Sequence, residues 1–207
     1  MSGISRRRFL STSAVSALAA PSLISSALAG SHGAISFVSI LDQSGGLDIY
    51  GKPMVDATEM AIEEMNAAGG LLGREINLKV YDPQSSIQFY TQFATQAAAG
   101  DKADVVHAGI TSASREAIRP TFARFQTLYF YNVLYEGGVC DMNNFCTGST
   151  PAQTVEKLVP YTMNKWGKKV YIIAADYNYG QITAQWVQKY VKDNGGEPVA
   201  TEFFPLD

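Results

Sequence analysis

The sequence predicts an α/β protein built on a doubly wound parallel sheet. Two observations carry that prediction. Short apolar runs, each long enough for one buried strand, alternate with longer amphipathic stretches in the order β-α-β-α-β-α-β. Each strand-like run ends in small polar residues that lead into a helix start, as a strand–crossover–strand connection requires. Apolar residues make up 46% and charged residues 17% of the 207-residue chain, ordinary for a globular protein with a sizeable core.

The first run, Ala34 to Leu41, reads as one buried strand, followed by the loop Asp42-Gln43-Ser44-Gly45-Gly46-Leu47-Asp48. From Gly51 to Gly70 a helix is expected, with Met54, Ala57, Ala61, Met65 and Ala68 on one face and Asp56, Glu59, Glu63 and Asn66 on the solvated one. Pro53 suits the first turn and Gly69-Gly70 the C-terminal cap. Glu75 to Tyr81 alternates as a second strand. Ser85 or Ser86 can cap a helix running to about Ala99, and Ala103 to Ala108 forms a third strand. The hydroxyls of Gly109-Ile110-Thr111-Ser112-Ala113-Ser114 cap a helix that Pro120 continues, and Thr127 to Tyr131 is a fourth strand. From Asn132 to Phe145 the alternation breaks into a structured loop, with Asn144 to Thr147 as a short extended piece. Beyond Gly148-Ser149-Thr150-Pro151 the pattern restarts with a helix near Gln153, a strand Lys169–Ala175, a helix Gly180–Asp193 and a strand Val199–Phe204.

At the N-terminus, Ser5-Arg6-Arg7-Arg8-Phe9-Leu10 fits a twin-arginine pattern, and Ala27-Leu28-Ala29 is a small-x-small cleavage site. A signal peptide over 1–29 is expected, cleaved near Ala29. The intervening run is too rich in Ser and Ala, and too broken by Pro21, for a membrane anchor. The formal net charge is −3, and loss of Arg6, Arg7 and Arg8 takes it near −6. That balance excludes a nucleic-acid surface and opposes docking on anionic lipid. In an oxidising compartment the C-x5-C spacing of Cys140 and Cys146 predicts a local disulfide, adding roughly 2 kcal/mol.

No residues are expected to be catalytic. His32 and His107 are isolated, so no metal site is expected; no G-x-G-x-x-G or phosphate-loop sequence occurs, and no cofactor is expected. Open parallel sheets bind ligands beyond the carboxyl ends of their strands. Four loops qualify: Asp42–Tyr50, Gly109–Ser114, Asn132–Gly138 and Asp176–Gly180. In the second, free N–H groups of Ile110 and Thr111 and the hydroxyls of Thr111 and Ser112 can hold a carbonyl or carboxylate oxygen; plain helix capping by Ser112 or Ser114 competes.

The stretch Y-G-K-P-M-x-D-A-x-x-x-A-x-E-E-x-N-A-A-G-G-x-L-G-R-x-I, ending in Y-D-P-Q-S, resembles the first βαβ unit of periplasmic solute-binding proteins of ABC importers, the branch serving branched-chain amino acids, urea and amides. The resemblance implies a two-lobed flytrap, with a first lobe over 30–148, a hinge at 149–153 and the beginning of a second lobe over 154–207. It implies that Ser112 and Tyr131 face the ligand, with Val133 beside them. Y-E-G after the fourth strand and D-Y-x-Y at Asp176–Tyr179 are similar to the amide and urea branch, which places Tyr177 and Tyr179 in the cleft. Ser112 is then expected to take the amide or urea oxygen. The expected function is capture of a small polar solute, urea or a short-chain amide, for delivery to ABC-transporter permease subunits after passage through the twin-arginine export machinery. A branched-chain or other amino acid, or a ligand-sensing role on the same fold, is the alternative.

Overall fold

The computed structural model describes residues 33–205; the expected signal peptide and cleavage site lie outside them. A first sheet holds β1 (Ile35–Ile40), β2 (Ile76–Tyr81), β3 (Val105–Ala108), β4 (Leu128–Tyr131) and β5 (Asn144–Cys146) in the order β2-β1-β3-β4-β5, and every pairing is parallel. The connecting helices are α1 (Asp48–Ala67), α2 (Ile87–Thr95, continued by a wider π turn Gln96–Gly100) and α3 (Ser112–Phe125). A second sheet pairs β6 (Lys169–Ala175) with β7 (Glu197–Phe204), and α4 (Pro151–Trp166) and α5 (Asn178–Asp193) pack on it.

Strand alternation decides which residues build the core. Val38, Ile40, Val106, Ala108, Tyr129 and Tyr131 point to one face and are sealed by Tyr90, Ala94 and Ala97 of α2 and its π turn and by Ile118 and Phe122 of α3. The opposite face carries Ile35, Phe37, His107 and Phe130 beneath α1. In the second lobe Val155, Val159 and Met163 of α4 meet Val191 of α5.

Two features differ from expectation, the placement of α1 and the disulfide. Helix α1 begins at Asp48, so Pro53 lies inside it, and its buried residues are Gly51, Val55 and Ile62. The expected apolar stripe is displaced: Met54, Ala57, Ala61 and Met65 border an apolar groove of about 580 Å³ with Phe37, His107 and Phe130. The expected extended piece is present as the strand Asn144–Cys146, held to β4 by in-register pairing of Phe130 with Phe145 and Tyr131 with Cys146. The Cys140–Cys146 disulfide is not formed. Strand alternation turns Cys146 inward against the first-lobe core, while Cys140 stays exposed in the preceding loop.

Candidate functional site

The cleft floor is built from the carboxyl ends of β1, β3 and β4. Gly109 ends β3 with φ +83, a left-handed conformation suited to glycine, and turns the chain into α3. Thr111 caps that helix: its hydroxyl accepts from the Ser114 N–H at 3.1 Å. The Ser114 hydroxyl in turn accepts from the N–H groups of Ile110 and Thr111 at 3.2 and 3.1 Å. Two of the donors expected to meet a ligand are therefore engaged inside the loop. The N–H groups of Ser112 and Ala113, at the first positions of α3, have no carbonyl one turn earlier in the helix to meet.

Beside that helix start lies a buried ion pair that hydropathy and motif reading did not find. Arg115, one turn into α3, is 1% exposed, and Glu136, in the loop after β4, is 3% exposed. The guanidinium meets the carboxylate in a fork, Nη2 to Oε1 at 2.5 Å and Nη1 to Oε2 at 3.2 Å. Its third nitrogen, Nε, donates to Glu116 at 3.0 Å. Ser112 donates its hydroxyl proton to Glu136 Oε2 at 2.7 Å. The Arg115 guanidinium also lies 4.9 Å from the Tyr131 ring centroid and 5.2 Å from that of Tyr135. Burial opposes the charge on Arg115, but the bonds and charge of Glu136 outweigh it and hold the guanidinium above its ordinary range. An Arg in a Ser/Ala-rich helix start, matched by a Glu among loop glycines, was the available signal.

Tyr131 is buried, and its hydroxyl points to the carbonyls of Ile110 and Leu134 at 3.1 and 3.2 Å. It therefore ties the second and third loops together. Val133 packs half-buried on the first-lobe core. In the second lobe, Tyr177 sits at the residue before α5, with Tyr179 tilted beside it at 6.1 Å between ring centroids. Burial raises the Tyr177 hydroxyl above its ordinary value, and Tyr179, Glu136 and Tyr50 add to the effect through their charge. The structure thus joins Ser112 to Glu136 and sets Tyr131 beside Arg115, the partner of Glu136, while Tyr177 and Tyr179 lie together at the start of α5.

The first loop is fixed separately. Asp42 is buried at the end of β1 and accepts from the Ser85 N–H at 2.6 Å and the Tyr90 hydroxyl at 2.9 Å. Asp82 accepts from Gln43 and Ser44. The two carboxylates lock the ends of β1 and β2 to each other, so the wall carrying Tyr50 is held by hydrogen bonds rather than by packing alone.

The family of the periplasmic binding protein domain matches residues 37–207. The chain belongs to this family. Its resemblance to periplasmic solute-binding proteins therefore holds, as does the parallel α/β fold. Among solved structures, it is similar to the branched-chain amino acid transporter substrate-binding protein LivJ of Streptococcus pneumoniae bound to isoleucine, at 22% identity and TM-score 0.72. It is similar also to an ABC-transporter solute-binding protein of Rhodopseudomonas palustris bound to 3,4-dihydroxybenzoic acid, at 19% identity and TM-score 0.74. A type 1 periplasmic binding protein of Bordetella pertussis matches at 20% identity and TM-score 0.76. Each covers 84% of this chain and 48–50% of its own, so the chain spans about half the length of these structures. At such identities the likeness speaks for the fold alone.

Proposed function

We infer that this chain is the ligand-binding part of an exported, periplasmic solute-binding protein that captures urea or a short-chain amide and delivers it to the permease of an ABC importer. The twin-arginine leader takes the protein out of the cytoplasm, and residues 149–153 let the lobes close. The observation that supports the reading is the approach of α5, whose start carries Tyr177, to α3, whose start carries Ser112 bonded to Glu136.

Closure excludes water and strengthens the few directional bonds around a small solute. A flat neutral solute fits between tyrosine rings, whose hydroxyls can accept from N–H groups as well as donate. Because Ser112 gives its proton to Glu136, its remaining capacity is to accept a solute N–H. The solute oxygen then goes to the first-turn N–H groups of α3 rather than to the Ser112 hydroxyl.

Two of the similar structures hold isoleucine and 3,4-dihydroxybenzoic acid, so an amino acid or another carboxylate is the competing class. Titration of the full-length protein with acetamide, urea, leucine and glutamate separates them. Tight binding of an amino acid, with none of acetamide or urea, overturns the solute assignment. Tyr177→Phe is expected to weaken amide binding about tenfold, the loss of one hydrogen bond.

A further inference from the structure

We propose that Glu136 is a specificity-determining residue: it fills from within the carboxylate position that Arg115 and Ser112 define at the cleft end of α3, so the solute taken there is neutral and donates N–H. The inference rests on the cleft assignment above and deepens it.

The geometry is that of a carboxylate-binding site already occupied. A planar guanidinium fork, a serine hydroxyl and a helix start are the donors that recognise a carboxylate. Here the fork and the hydroxyl converge on Glu136, with two bonds from Arg115 and one from Ser112. The fork cannot turn elsewhere, because its third nitrogen is bound to Glu116 and its plane lies near the rings of Tyr131 and Tyr135. A solute carboxylate arriving at this place would meet the Glu136 carboxylate with no free guanidinium to offset it. An ionised carboxylate has about four acceptor positions. Three are used, and on this proposal the fourth takes a solute N–H.

Acetate and acetamide match in shape and differ in charge and in N–H, so they are the probes. Calorimetry on the full-length protein gives Kd for both, with wild type, Glu136→Gln and Glu136→Ala. Wild type should prefer acetamide. Glu136→Gln should move the acetate-to-acetamide affinity ratio at least about tenfold toward acetate. Glu136→Ala vacates a carboxylate-sized hole, so formate should raise its Tm while leaving that of wild type unchanged. A ratio that stays within about twofold in a cooperatively unfolding Glu136→Gln variant overturns the proposal.

Glu136→Ala leaves the two Nη groups of a buried guanidinium without their partner, with only Nε still bound to Glu116, and is the variant most prone to misfold. If it does, the formate arm passes to the double variant Arg115→Met, Glu136→Leu, which carries neither charge. That variant should bind acetate no better than wild type; tighter acetate binding overturns the proposal. The two readings separate cleanly. If wild type binds neither acetamide nor urea yet the ratio of Glu136→Gln shifts toward acetate, the amide assignment falls and the role of Glu136 stands. If wild type binds acetamide and the ratio does not move, the reverse holds.

Discussion

The units β1–α1 and β6–α5 share one local device. In each, a glycine in the first turn of the helix lies against the backbone at the end of the preceding strand. A methyl group at Gly51 would overlap the carbonyl of Asp42, and one at Gly180 the carbonyl of Ala175. The surroundings of the two differ. β1 runs through the middle of five parallel strands, and its end is locked by the buried Asp42. β6 has one neighbouring strand, and Tyr171, Ile173, Phe203 and Phe204 stay exposed. In the 207-residue chain the same strand–glycine–helix turn is thus held by strands on both sides at β1 and on one side at β6. Local sequence specifies the turn; the sheet around it decides how firmly the turn is held.

The sharpest contrast is between buried and exposed aromatics of the two lobes. Phe122 is sealed in the first-lobe core against Tyr129, with ring centroids 4.9 Å apart. Phe122→Ala should cost about 3–5 kcal/mol, by lost transfer energy plus the cavity left behind. Phe203→Ala, on a half-open strand, should cost less than about 1 kcal/mol. Urea denaturation of the two variants measures both, and equal losses would erase the comparison.

Acid should weaken the first lobe through His107. Its ring is buried, with Nδ1 3.3 Å from the Thr58 hydroxyl and Nε2 without a partner. Desolvation pushes its pKa down from 6.5 to about 4. The unfolded chain takes the proton near 6.5 and the folded one only near 4, so this contribution is complete above pH 6.5 and is lost as pH falls toward 4. The full loss is on the order of 3 kcal/mol. Asp42 slopes the other way, since burial raises its carboxyl and folding gains from its protonation. His107→Gln should flatten the His-dependent loss between pH 6.5 and 4, and an unchanged pH profile would remove His107 as its source.

The paired glycines test the comparison directly. Overpacking against backbone typically costs about 1–3 kcal/mol. Gly51→Ala should sit at the top of that range, because the helix cannot move without disturbing Asp42 and its bonds to Ser85 and Tyr90. Gly180→Ala should sit near the bottom, because β6 can yield. Matching midpoint shifts in urea would show that the sheet does not set the cost.

Much of the fold was legible in the sequence, because its signals are local. Strand-length apolar runs, the glycines after α1 and the hydroxyls before α3 each specify their own segment. What was missed depends on partners far along the chain. The extended piece Asn144–Cys146 was read, but not its pairing with β4. The inward side of α1 was misread because Gly51, Val55 and Ile62 make a seam beside the stripe of Met54, Ala57 and Ala61. Arg115 and Glu136 each look like surface residues to hydropathy, and only their meeting across 21 residues makes burial tolerable. The cysteine spacing misled because it ignores which side of a strand a thiol faces. Tyr131 and Tyr177 came from resemblance, and their contact with a solute rests on the proposal above.

The smallest expected effect sits on the uncovered side of β6. Ile172 and Ile173 are neighbours in sequence, and alternation turns them to opposite faces. Ile172 is buried, 6% exposed, on the side where α4 and α5 pack; Ile173 is 69% exposed and pairs across the sheet with Glu202. Threonine keeps β-branching at either site, so strand preference changes little. Ile173→Thr should then stay within about 0.5 kcal/mol of the parent, as for surface substitutions away from special features. Ile172→Thr buries a hydroxyl and loses apolar contact, and should cost about 2 kcal/mol or more. Both are read from urea midpoints of the 207-residue chain. A large loss from Ile173→Thr would mean that this face of β6 is packed in solution, and the second lobe would then be as firmly held as the first.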